Sequence, residues 1–243
     1  MLLCPDQPWQ HRGAEYLPEF EALTRMGFAV AIYNGRGTWG TGVRERRKLQ
    51  GDFAATLAAD VVAVADHLAG KFEVSRRSVA LVGQAMGGFI ALRTLQLYPD
   101  RFRCAVTVDA WLYHSPVYEA VIQGTPVKRS LFDYKRLHPT PVSQHPELIT
   151  APVLTIADYS QQTRFFHNTN FHAAVKRSAP DSELVKVSLQ TSIARTMQGE
   201  DKARKLSRQW ARTESFLNYV LYNFSVKIGE LEVLPEQAKE RQP

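Results

Sequence analysis

The sequence predicts an α/β fold, a mainly parallel sheet with helices on both faces, and three observations carry that prediction. Strand-like and helix-like segments alternate along most of the 243 residues. The strand-like segments are continuous apolar runs, as expected of strands covered on both faces. One junction between them, Val79-Ala80-Leu81-Val82-Gly83-Gln84-Ala85-Met86-Gly87-Gly88, carries the glycine spacing of a sharp strand-to-helix turn.

The elements follow in order. Glu15 to Met26 has helical apolar spacing and ends at Gly27, a C-terminal cap. Gly27-Phe28-Ala29-Val30-Ala31-Ile32-Tyr33 reads as a buried strand, stopped by Asn34-Gly35-Arg36-Gly37. An alanine-rich helix is expected from Phe53 through Leu68, closed by Gly70. Ser78 to Val82 is the next strand and Gly87 to Leu97 the next helix, stopped by Pro99. Cys104 to Val108 and Pro152 to Ile156 are strands; a helix over about 164–177 and a strand near 184–189 follow. A long amphipathic helix is expected over 201–222. Residues 109–151, rich in proline, histidine and aromatics, read as an excursion over the strand ends rather than a domain. The expected division is one domain over 1–228 and a polar tail over 229–243.

The chemistry centres on the glycine junction. A nucleophile elbow has the pattern G-x-S-x-G at a strand end, and here Ala85 stands where the serine would be. Gly83 and Gly87 permit the tight turn, and Gly88 lets the helix approach the sheet. The backbone N–H of Met86 becomes the oxyanion donor candidate, helped by the helix N-terminus. A glycine-rich turn without chemistry fits the same residues.

The ordered segments resemble the catalytic α/β-hydrolase domain of the prolyl oligopeptidase family of serine peptidases. Arg25-Met26-Gly27-Phe28-Ala29-Val30 is similar to that family's strand start, and Asn34-Gly35-Arg36-Gly37-Thr38-Trp39-Gly40-Thr41-Gly42 to its N-x-R-G-S-x-G-x-G loop. Asp60-Val61, the elbow, Pro99 to Val106 and Thr150-Ala151-Pro152-Val153-Leu154 continue the likeness in family order. The resemblance implies a serine, an acid after the P-v-L strand and a histidine before the last helix. At those places this chain has Ala85, Gln161 and the Ser192 region, with no histidine after His172. The H-G-G-P segment is replaced by Leu3-Cys4-Pro5-Asp6. Loss of the nucleophile alone costs roughly 10⁶-fold in kcat in a serine protease. A serine-to-alanine change alone would leave acid and histidine in place, whereas here all three depart.

The functional expectation is therefore a peptidase-like domain without its catalytic residues, acting through binding, regulation or assembly. The alternative is an active hydrolase of peptide or ester bonds using displaced residues, Asp158, His114 or Ser115. Asp158 also reads as a strand-end aspartate or helix N-cap. Cys104 reads as an inert core thiol. No cofactor is expected, and His138, His145, His167 and His172 lack the spacing of a metal site.

Composition bounds the partners. The chain is 44% hydrophobic and 22% charged, which excludes global disorder. The net charge of +6 gathers partly in R-E-R-R-K at 44–48 and in 202–212. These lack interleaved stacking aromatics, so they read as solvated surfaces rather than a specific nucleic-acid site; a non-specific binder is the minor alternative. Trp111, Tyr113, Tyr118, Phe132 and Tyr134 suit a peptide or small apolar ligand, or anchor a loop. Two cysteines, no signal peptide and no apolar run of membrane-span length lead to the expectation of a cytoplasmic protein without membrane contact. The resemblance also implies sheet strands ahead of the first one read here, and a sheet truncated at that edge would favour a homodimer.

Overall fold

The computed structural model describes residues 1–5, 11–13, 17–42, 44, 53–75, 78–112, 141–159, 162–187, 211–217 and 220. The chain divides into two compact units, residues 1–189 and 190–243. In the first, six strands form one sheet: β1 (Leu2–Leu3), β2 (Ala31–Ile32), β3 (Ala80–Gln84), β4 (Cys104–Val108), β5 (Val153–Asp158) and β6 (Glu183–Val187). The helices are α1 (Pro18–Arg25), α2 (Phe53–Phe72), α3 (Met86–Leu97) and α4 (Gln162–Ser178). In the second unit residues 211–217 are helical, within the stretch expected to be a helix.

The strand order is β2-β1-β3-β4-β5-β6 and each pairing is parallel. Ala80–Gly83 and all six residues of β5 are buried, which is why these segments are apolar without alternation. The helix α3 lies on β3 and β4 and packs against α2, while α4 covers β5 and β6. Phe53, Leu57, Val61, Phe89, Ile90, Leu92 and Leu95 fill the core between them.

Two helix ends show how far local sequence decides local structure. At the end of α1, Gly27 adopts φ 86. Its N–H donates to Thr24 O (3.0 Å), and that of Phe28 donates to Leu23 O (3.2 Å). This is a Schellman cap with buried Leu23 and Phe28 as its apolar partners, as Gly27 suggested. At the end of α2 the expectation fails. Gly70 lies inside the helix, which runs to Phe72, and Glu73 takes the left-handed conformation (φ 52) that terminates it.

Two further differences have physical causes. The strand read over 27–33 shortens to Ala31–Ile32, because Gly27 and Phe28 are consumed by the α1 cap. The strand β1 lies ahead of the first strand the apolar runs indicate, and its two residues are too few to carry a periodicity. The expectation of no membrane-length apolar run also needs correction. By length and composition α2 passes that test, with a window hydropathy of 1.4. Its Phe53, Ala54, Leu57, Val61 and Ala65 pack into the core cluster instead.

The glycines of α2 and β3 should respond oppositely to a methyl group. Nothing lies within 4 Å of a Cβ added at Gly70. Gly70→Ala should therefore stabilise the chain by up to about 1 kcal/mol. A Cβ at Gly83 would collide with the Gly87 carbonyl group and sit 2.6 Å from Gly88 N. Gly83→Ala should cost about 3 kcal/mol or more. Thermal denaturation of both variants checks the pair.

Candidate functional site

The strand order locates the site before any side chain is considered. From β1 the chain moves one way to β2, then crosses back to β3 on the other side. The reversal falls between β1 and β3, and in open α/β sheets ligands bind outside the carboxyl ends of the strands at such a switch point. There the structure places the Cys4-Pro5 segment, which leaves β1, and the Gln84-Ala85-Met86 turn between β3 and α3.

That turn is a nucleophile elbow in its backbone. Ala85 sits at φ 49, ψ −111, a conformation that L-residues rarely adopt and that costs on the order of 1–3 kcal/mol. Its surroundings hold it there. The Ala85 N–H donates to Val108 O (2.9 Å) at the end of β4, and Ala85 O accepts from Trp111 N–H (3.0 Å) and Phe89 N–H (3.2 Å). The three glycines are required by close approach: besides Gly83, a Cβ at Gly87 would meet Cys4 O at 2.6 Å, and one at Gly88 would meet Ala110 Cβ at 2.8 Å. Met86 opens α3, so its N–H belongs to the first turn, where no helical carbonyl is available. It is the amide that faces an oxyanion in an intact elbow.

Asp158, the displaced-acid candidate, ends β5 and is buried. The structure adds a carboxylate that sequence reading missed. Asp109 follows β4 at φ 48, a second strained non-glycine residue one strand away from Ala85. Its Oδ2 pairs with Arg164 Nη1 on α4 at 2.9 Å, while its buried Oδ1 has no partner. Trp111 Nε1 is likewise buried without one. Burial raises the Asp109 carboxyl to about 6, against the pull of the Arg164 charge, and the Asp158 charge pushes the same way as burial. Asp109 and Arg164 are 55 positions apart, and only the proline-rich excursion between them hinted that the region mattered.

The remaining candidates divide cleanly. Gln161, Ser192, His114 and Ser115 lie outside the described residues, as do the polar tail and most of the excursion. Cys104 is fully buried, and burial pushes its thiol up to about 12, so it is an inert core thiol. His172 is a core histidine: its Nδ1 lies 3.2 Å from Thr155 Oγ1, and burial, reinforced by Lys176, lowers it to about 4. Among the described residues no three His, Cys, Asp or Glu side chains converge as a metal site would require.

Asp109 and His172 make opposite contributions to acid stability. His172 has an ordinary value of 6.5 and a folded value of about 4, so the unfolded chain holds the extra proton between them. Stability from this group is lost as pH falls through that window. Asp109 has an ordinary value of 3.8 and a folded value of about 6, so there the folded chain holds the extra proton. Stability from this group grows as pH falls from about 6 to 3.8. Asp109→Asn should therefore steepen the loss of Tm between pH 6 and 4, and His172→Gln should flatten it. Denaturation of both variants at pH 4, 5, 6 and 7 reads the two slopes.

Comparison with known proteins places the chain in a family. A profile of the prolyl oligopeptidase family matches residues 15–154. The acylamino-acid-releasing enzyme of Rattus norvegicus is 23% identical over 214 residues, covering 82% of this chain and 28% of that enzyme. A probable dipeptidyl-aminopeptidase B of Aspergillus clavatus is 30% identical over 105 residues, 42% of this chain and 12% of that protein. Among solved structures, the Pyrococcus horikoshii acylaminoacyl peptidase superposes with a TM-score of 0.70 at 12% identity, over 95% of this chain and 39% of the peptidase. A Pyrococcus furiosus esterase superposes with a TM-score of 0.64 at 17% identity, over 90% of this chain and 81% of the esterase. The chain thus spans 28% of the length of the rat enzyme it matches.

Proposed function

The chain belongs to the prolyl oligopeptidase family, and we propose that its hydrolase domain binds a peptide or small apolar ligand at the elbow without cleaving it. The observation that carries this reading is Ala85. Its backbone keeps the strained geometry that presents a nucleophile (φ 49, ψ −111), and its side chain is a methyl group. Acyl transfer requires an attacking atom, a base within hydrogen-bond reach to remove its proton, and a group to orient that base. The first is absent at position 85, and the sequence has glutamine and serine at the places where the family carries the other two.

What the elbow retains suits recognition. The Met86 N–H donates toward a ligand carbonyl oxygen, with the positive end of the α3 dipole behind it. A carbonyl bound there is polarised but meets no nucleophile, so the complex persists. Regulation or assembly would then follow from occupancy rather than turnover. The dipeptidyl and acylamino specificities of the relatives belong to much longer chains and are not carried over.

A fluorophosphonate probe, together with acyl-peptide and p-nitrophenyl ester substrates, tests the reading. The expected result is no covalent adduct and no hydrolysis above the uncatalysed rate. Ala85→Ser should stay equally inert, because a hydroxyl without a base is not activated. Stoichiometric labelling of a serine that rises and falls with turnover would overturn it.

A further inference from the structure

The elbow is gripped from a helix that takes no part in forming it. The helix α4 lies on β5 and β6, with β4 between them and the strand that leads into the elbow. Two of its side chains nevertheless reach the segment that follows β4. Arg164 and Asn168 are four residues apart and so share one face of the helix. Arg164 Nη1 lies 2.9 Å from Asp109 Oδ2. Asn168 Nδ2 donates to Ala110 O (3.0 Å) and also to Arg164 O (3.0 Å), which links the two contacts.

The segment they hold meets the elbow on both sides of Ala85. Val108 O accepts from Ala85 N–H (2.9 Å), and Trp111 N–H donates to Ala85 O (3.0 Å). Between these bonds Ala110 presses on α3, where a Cβ at Gly88 would come 2.8 Å from Ala110 Cβ. Ala110 is thus wedged between Gly88 on one helix and Asn168 on another. Asn168 and Ala110 are both buried, so water does not compete for the bond between them. The Asp109 N–H is taken by Ile156 O (2.8 Å), which leaves the Asp109 side chain to make the link to α4. A hydrogen bond to a buried charged group is of the same order as the strain of one left-handed L-residue. Arg164 and Asn168 together are therefore strong enough to hold Ala85 at φ 49.

We propose that Arg164 and Asn168 are positioning residues for the elbow. By holding Asp109 and Ala110 from α4, they keep residues 108–111 against Ala85 and fix the place of the Met86 N–H. A movement of α4 then reaches the elbow through these two side chains. The grip acts on backbone, so it stands whether or not a ligand binds at the elbow.

A double-mutant cycle tests the coupling. Ala85→Gly reads the strain at the elbow as a rise in Tm, and the same change is made in Arg164→Gln and Asn168→Leu backgrounds. If the grip sustains the strain, the elbow relaxes without it, and the rise should shrink to roughly half or less in either background. Residues that only stabilise α4 would leave the rise undiminished. The Met86 amide resonance should also move in ¹⁵N–¹H spectra of Arg164→Gln. Arg164 is 29% exposed, so Arg164→Gln folds even if Asn168→Leu, with its buried change, does not. An undiminished rise in Arg164→Gln, an unmoved Met86 resonance, or no rise in the unmodified chain would each overturn the proposal.

Discussion

The close approach of β3 to the start of α3 is the constraint on which the rest of this structure depends. Gly83, Gly87 and Gly88 each sit where a Cβ would collide with backbone or with Ala110. The turn they permit forces Ala85 into a left-handed conformation, and three backbone hydrogen bonds tie that residue to β4, to the segment after it and to α3. Removing any one support would leave the strain uncompensated. The same contacts bring Cys4 of the β1 end against Gly87, so the switch point of the sheet and the elbow are one place.

This arrangement explains how the turn holds its shape with alanine at position 85. The strain at position 85 is imposed by its neighbours and does not depend on the side chain there. An alanine there is held in the same conformation by the same neighbours. Near it, Asp109 repeats the pattern: a strained residue at the end of the next strand, its carboxylate half satisfied by Arg164. Two such residues, Ala85 and Asp109, thus stand at adjacent strand ends.

Where local chemistry decides the outcome, the sequence is legible. Gly27 announces its cap, the glycine spacing announces the elbow, and Cys104–Val108 has the bounds its apolar run implies. Legibility fails where a distant contact decides. Asp109 and Arg164 meet across 55 positions, and nothing in either local stretch pairs them. Gly70 looks like a stop, yet α2 continues to Phe72 and ends at Glu73, where an L-residue takes the role usually given to glycine. The two-residue β1 is too short to leave a pattern, although it lies inside the sheet between β2 and β3.

The most direct measurement is the stability of Ala85→Gly. If the elbow is held in a conformation that an L-residue resists, removing the methyl relieves the strain, and relief should exceed the entropy a glycine adds to the unfolded chain. The expected gain is about 1 kcal/mol, a Tm higher by roughly 2–4 °C. An unchanged or lower Tm would mean that Ala85 rests in an ordinary turn, and the surviving elbow would have to be given up.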